Sequence, residues 1–250
     1  MQRLVGACVL AVVGGCDGVG EPIRARTVDA GVGCGETLPG TVAVWDFEEL
    51  GAGVRDSTGA HPGQIVDGPV TSVAGPPGCG RAIGFAGTAY VLVPDAPAWQ
   101  LPVGSVDFWF RATACAESEA GVLTRDAEFT MRPGHFRVFW RDDCRLAVRA
   151  QNMSDETGGV ELATLAPLPL GAWHHVGVNF GAPGLELVLG GASQGFAPLG
   201  WGIDGNENPW TMGISNDKSA EGSHLPVWKP LRDAGLDRVR ITNRRQSFAR

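Results

Sequence analysis

Apolar residues along this chain come in short runs between clusters of Gly, Pro, Asp, Asn and Ser, and nowhere sustain the 3.6-residue period of a helix. Runs rich in β-branched and aromatic residues predict strands at 42–47, 64–66, 82–85, 90–93, 105–111, 121–124, 128–131, 135–140, 145–151, 160–162, 173–180, 185–189, 211–214 and 235–242. Residues 117–120 make at most a turn. That many strands do not fit one flat sheet, which curls or splits into two packed layers. The fold class is therefore all-β, a two-sheet antiparallel β-sandwich. Apolar residues are consecutive in 106–110 and 173–180, as in strands covered on both sides. Trp45, Trp109 and Trp173 are accordingly read as core.

The start of the chain has a different pattern. Met1-Gln2-Arg3 supplies one positive charge, residues 4–13 are apolar, and the small residues Gly14-Gly15 precede Cys16. Ten apolar residues reach about 15 Å as a helix, half a bilayer, so this stretch is read as an export signal and not as a span. A small-residue site ending on cysteine resembles the lipobox of bacterial lipoproteins, in which that cysteine is acylated. Residues 1–16 are assigned to the signal, 17–39 to a tether and 40–250 to the folded domain. The expected location is the cell envelope, periplasmic or outer surface, with membrane contact through lipid on Cys16 only. The alternative is an ordinary secretory signal that leaves Cys16 free.

Composition supports many turns, with 37 Gly and 17 Pro in 250 residues. A net charge of −7 argues against nucleic acid as a partner. Arg238, Arg240, Arg244, Arg245 and Arg250 form a local basic exception, read as a solvated strand edge. If Cys8 leaves with the signal and Cys16 is acylated, Cys34, Cys79, Cys115 and Cys144 remain for two disulfides in an oxidising compartment. Three pairings are open. The positions of the cysteines around their strands favour Cys34–Cys79 with Cys115–Cys144.

Five segments carry a family likeness. They are Val44-Trp45-Asp46-Phe47-Glu48-Glu49 with Arg55-Asp56-Ser57-Thr58-Gly59, then Arg81 to Gly87 with Tyr90-Val91-Leu92-Val93-Pro94, then Gly104 to Phe110. Trp173-His174-His175-Val176-Gly177-Val178 and Leu236-Asp237-Arg238-Val239-Arg240-Ile241 complete the set. In this order, over residues 40–245, they resemble the laminin-G-like, concanavalin A-like jelly-roll superfamily. Leu189-Gly190-Gly191 departs from the family's Tyr-Val-Asp-Gly. The resemblance implies a jelly roll and one structural Ca2+ between the opening and closing strands. The matching residues are Asp46 with Glu48, Asp56 and Asp237; solvated or turn-capping acids are the alternative.

Other motifs point away from catalysis. Gly191-Ala192-Ser193-Gln194-Gly195 matches the nucleophile pattern by letter, but no helix follows, and a hairpin turn is expected. His174 and His175, adjacent on a strand, face opposite sides and do not reach one ion. Asp46 and Glu48 are the one i, i+2 carboxylate pair in a well-defined strand, at about 6.5 Å, and the Glu-x-Asp-x-Glu array of laminarinase-type relatives is absent. Asp107 stands alone among aromatics. Asp204-Gly205-Asn206-Glu207-Asn208 is read as a polar turn. Residues 198–230 hold Trp201, Trp210 and Trp228 among polar residues and are read as a ligand-binding loop; the alternatives are that Trp210 is buried at the start of a strand and that Trp201 and Trp228 pin the loop. The expected function is non-enzymatic: a module binding a carbohydrate or a surface protein. A purely structural or adhesive module and a glycoside hydrolase are the alternatives.

Overall fold

The computed structural model describes residue 34 and residues 38–126, 133–152, 159–215 and 230–248. The strand expected at 128–131, the signal with Cys8 and Cys16, and Trp228 lie outside the described residues. The described strands are β1 (Thr41–Leu50), β2 (Gly53–Asp56), β3 (Gly63–Val66), β4 (Thr71–Ala74), β5 (Arg81–Phe85), β6 (Tyr90–Val93), β7 (Val103–Ala112) and β8 (Ala120–Arg125). They continue with β9 (His135–Trp140), β10 (Leu146–Gln151), β11 (Gly159–Ala163), β12 (His174–Gly181), β13 (Gly184–Leu189), β14 (Ala192–Pro198), β15 (Trp210–Met212) and β16 (Ala234–Thr242). One turn of 3-10 helix, Pro97–Trp99, interrupts them.

Hydrogen bonding follows the order β11-β10-β9-β8-β15-β6-β3-β2-β1-β16-β7-β12-β13-β14. The path folds into two layers. β3, β6, β15 and β8 to β11 form the front, and β1, β16, β7 and β12 to β14 form the back. Strand β2 pairs with both β1 and β3 and so carries the ladder from one layer to the other. The β4–β5 hairpin attaches to the start of β16.

Aromatic contacts across the interior hold the layers together. Phe110 meets Trp140 at 5.2 Å and Phe136 meets Phe180 at 5.6 Å between ring centroids. Trp45 is fully buried in this core. The back layer is also covered outside. There Trp109, Trp173 and Ala82 form a second apolar cluster, with Val73 of the hairpin packed against it. Phe248 lies over the bare Cα of Gly177, where a Cβ would fall 2.5 Å from its ring. Gln246 exchanges hydrogen bonds with Asn179, its N–H donating at 2.9 Å and its carbonyl accepting at 3.1 Å. Two covered faces account for the consecutive apolar positions of β7 and β12.

Strands β2, β4 and β14 were not expected from the apolar pattern. Each is short of inward apolar positions, and β4 and β14 are largely exposed. The turn expected at 191–195 is tighter than read: Gly190 and Gly191, at φ 57° and 86°, make a two-residue hairpin, and Ser193 already lies in β14. Both disulfides pair as favoured, Cys34 with Cys79 and Cys115 with Cys144, at Cα separations of 5.1 and 4.8 Å. Each closes a loop that contributes about 3–4 kcal/mol.

The basic C-terminal stretch requires a correction. Arg238 and Arg240 are buried, not solvated; Arg244 is exposed and Arg245 half-buried, and Arg250 lies outside the described residues. Register explains this. Asp237 pairs with Trp109 and Arg240 with Asp107, so three residues of β16 span two of β7. Arg238, at φ 48°, sits in that bulge. Leu236, Val239 and Ile241 thereby all reach the core, while Asp237 and Arg240 both face outward.

Candidate functional site

On the outer face of the back layer, β7, β12 and β16 bring three polar side chains together under cover. Arg240 donates to Asp107 through Nε and Nη2, both at 2.8 Å, a bidentate pair with each residue no more than 2 % exposed. The Nε2 of His175 lies 3.2 Å from Asp107 Oδ1. Asp107 is thus not alone, although nothing near it in sequence reveals its partner. His174 turns to the opposite side and meets the Pro169 carbonyl at 2.9 Å. The two histidines diverge as their strand spacing requires.

The acids expected around an ion separate into two sets. Asp56 is consumed by its own turn. Its carboxylate accepts from the N–H groups of Val44 (2.9 Å), Thr58 (3.0 Å), Ala60 (3.2 Å) and His61 (2.9 Å), and from the Thr58 hydroxyl. Burial acts to raise its pKa, but the Thr58 hydroxyl and the N–H groups outweigh burial and hold it below the ordinary value. Asp46 accepts from the Ser57 hydroxyl at 2.6 Å, and Glu48 accepts from the N–H of Arg81 at 3.1 Å.

Asp237 belongs with Glu48 and Asp46. It is 1 % exposed, and its Oδ2 has no hydrogen-bond partner. Burial drives its pKa up, the Arg238 N–H opposes, and the charges of Glu48 and Asp46 add to a rise to about 8. That oxygen converges with the carbonyls of Cys79 and Gly80 on the bare face of Gly75, 2.9, 3.1 and 3.1 Å from where a Cβ would stand. Gly80 in turn leaves room for the Glu48 carboxylate, which a Cβ would meet at 2.3 Å. Among the described residues no three His, Cys, Asp or Glu side chains are grouped tightly enough to hold a metal. An ion here would draw on Asp237, Glu48 and backbone carbonyls, an oxygen set of the kind calcium takes.

The tryptophans of the long loop divide as well. Trp210 is fully buried, 6.3 Å from Trp99 and 5.9 Å from Phe136, and offers no face to a ligand. Trp201 is half-buried and packs on the core. The loop is held from beneath by Arg125, whose guanidinium donates to the carbonyls of Trp99 (2.9 Å), Ile203 (2.8 Å), Asn208 (3.1 Å) and Asn206, and to Asp95 at 2.7 Å. Residues 204–208 are a polar turn, as read from the sequence. No motif marked Arg125 as its support.

The model of the concanavalin A-like lectin/glucanases superfamily matches residues 85–247. The chain belongs to this superfamily. No curated protein matches it. As a concanavalin A-like domain it is similar in fold to the fourth domain of an extracellular arabinanase from Geobacillus stearothermophilus, solved with arabinotriose, at TM-score 0.60 and 16 % identity over 81 % of this chain and 91 % of that one. It is also similar to Trypanosoma rangeli sialidase, at TM-score 0.60 and 11 % identity over 85 % of this chain and 32 % of the sialidase. A third likeness is to botulinum neurotoxin type C, whose cell entry depends on two ganglioside molecules, at TM-score 0.59 and 11 % identity over 84 % and 49 %. This concanavalin A-like chain therefore spans about a third of the sialidase and half of the toxin chain. At these identities the likeness shows fold alone.

Proposed function

We propose that the chain is a non-catalytic glycan-binding module of the bacterial cell envelope, held to a membrane by lipid on Cys16. The observation that carries the non-catalytic reading is how the buried carboxylates are used. Asp56 organises a turn, Asp107 is gripped by Arg240, and Asp237 is shielded and proton-retaining. Glycoside cleavage needs two carboxyl groups facing each other across the scissile bond, about 5–9 Å apart. Asp56 and Asp107 are spent on the scaffold, and Asp237 is too deeply shielded to face a substrate. The arabinotriose bound to the similar arabinanase domain supports a sugar as the ligand class. We further propose that Asp237 and Glu48, with the Cys79 carbonyl, hold one structural Ca2+.

The test is a glycan array probed with the full chain, with the bound oligosaccharides then incubated with the protein and sized. Retention of sugar without shortening is expected. Released shorter products would overturn the non-catalytic reading, and an array without any bound sugar would leave a structural or protein-binding module.

A further inference from the structure

The end of the sandwich where β7 hands over to β8 holds a cleft of about 300 Å³. Its lining includes Trp140, Ala120, Glu117, Ser118, Arg232 and Asp233. We propose that this cleft is a subsite for a single non-anionic sugar ring, the terminal residue of a glycan. The proposal rests on the glycan-binding reading and adds a place and a sugar class to it.

Size comes first. A volume near 300 Å³ lies at the lower end of ligand pockets, enough for one pyranose or furanose and little more. Chemistry comes second. Ala120 and Trp140 line the cleft but are buried in the core, and the Trp140 indole N–H is already donated to the Ala114 carbonyl at 2.9 Å. The rim is charged, and the charges are unspent. Among the described residues, Glu117, Arg232 and Asp233 make no ion pair and no side-chain hydrogen bond with protein, although all three line one small cleft. A carboxylate accepts from two neighbouring hydroxyls, and a guanidinium donates a fork to ring or glycosidic oxygens. Free acceptors and a free donor around one small cleft suit the hydroxyl edge of a single sugar.

Rigidity comes third. The Asp233 backbone is left-handed, at φ 51°, and its carbonyl accepts from both the N–H and the hydroxyl of Thr113, at 2.8 and 3.1 Å. Cys115, which also lines the cleft, is bonded to Cys144. Walls fixed in advance lower the ordering cost of binding. Two carboxylates against one guanidinium leave a net negative rim, which selects against uronic and sialic acids.

The test uses the full chain and soluble monosaccharides, read by amide NMR shifts. Arabinose, galactose, glucose and mannose make the neutral arm, galacturonic and sialic acid the anionic arm, and glucosamine the cationic arm. Saturable shifts at residues 114–120 and 230–233 are expected with at least one neutral or cationic sugar and not with the acids. Ser118→Trp fills the cleft, and Glu117→Gln with Asp233→Asn removes both carboxylates while keeping a residue that tolerates the left-handed backbone. Both variants should melt within a few degrees of the parent and bind at least tenfold more weakly. Array binding that survives both variants would overturn the cleft and leave the glycan reading intact. Absence of shifts with every sugar would overturn the cleft, and an empty array as well would remove the glycan reading. A preference for the acids would overturn the non-anionic class.

Discussion

Arg240 holds Asp107 through two parallel hydrogen bonds of 2.8 Å, in a layer of side chains that water does not reach. The bulge at Arg238 makes this possible, because without the extra residue β16 would turn Arg240 to the core.

Breaking this pair from one side strands a buried charge. Arg240→Met is expected to cost about 3–5 kcal/mol in urea denaturation. Asp107→Leu combined with Arg240→Met should recover most of that loss, since neither charge is then left alone. A loss in the double variant equal to the sum of the Arg240→Met and Asp107→Leu losses would mean the pair is not coupled.

Asp237 gives stability a pH slope of defined sign. Its folded pKa of about 8 lies above the ordinary 3.8, so the folded state holds the proton more tightly. The stability contributed by Asp237 is greatest below pH 4 and falls as pH rises towards 8. In metal-free protein Asp237→Asn should flatten this fall and raise the Tm at pH 8. Millimolar Ca2+ should raise the Tm of the parent at pH 8 and not that of the variant. A parent Tm indifferent to both EDTA and Ca2+ would remove the ion.

His135 acts in the opposite direction. Burial, then the charges of Arg137 and Arg149, push its pKa down to about 4, despite Asp126 at 3.4 Å. The unfolded chain takes up a proton near 6.5 and the folded chain does not, so this group removes stability as pH falls from 6.5 to 4. His135→Gln should abolish that part of the acid slope, measured as Tm between pH 4 and 7.

Gly121 is a packing requirement of the front layer. A Cβ there would stand 2.2 Å from the backbone of Ile214 and Ser215. Gly121→Ala should cost about 3 kcal/mol or more and increase hydrogen exchange first across β8 and β15.

The strands with regular inward apolar positions were legible in the sequence, because a buried face writes itself as a pattern. β2, β4 and β14 were not, since a strand that buries little leaves little signal. In β16 a signal was present but unread: Leu236, Val239 and Ile241 are spaced three then two, a phase slip that marks a bulge and turns Arg240 outward to Asp107. Asp237 was found through its family likeness, yet its partnerless oxygen depends on a loop that returns from residues 75–80. Arg125 and the cleft residues Glu117, Arg232 and Asp233 were invisible, because their neighbours come from distant parts of the chain. Trp210 was legible as core only through its place at the start of β15, since composition does not separate a buried tryptophan from one that meets a ligand.

The Cys34–Cys79 bridge also decides how the domain bears load. Residues 35–78, with β1 to β4, lie inside a covalent ring. A pull arriving from upstream of Cys34 passes through sulfur to Cys79 and on to β5, which is zipped to β16. The first strand is therefore bypassed by the force, and peeling from the N-terminal edge becomes possible only once a reductant has cut the ring.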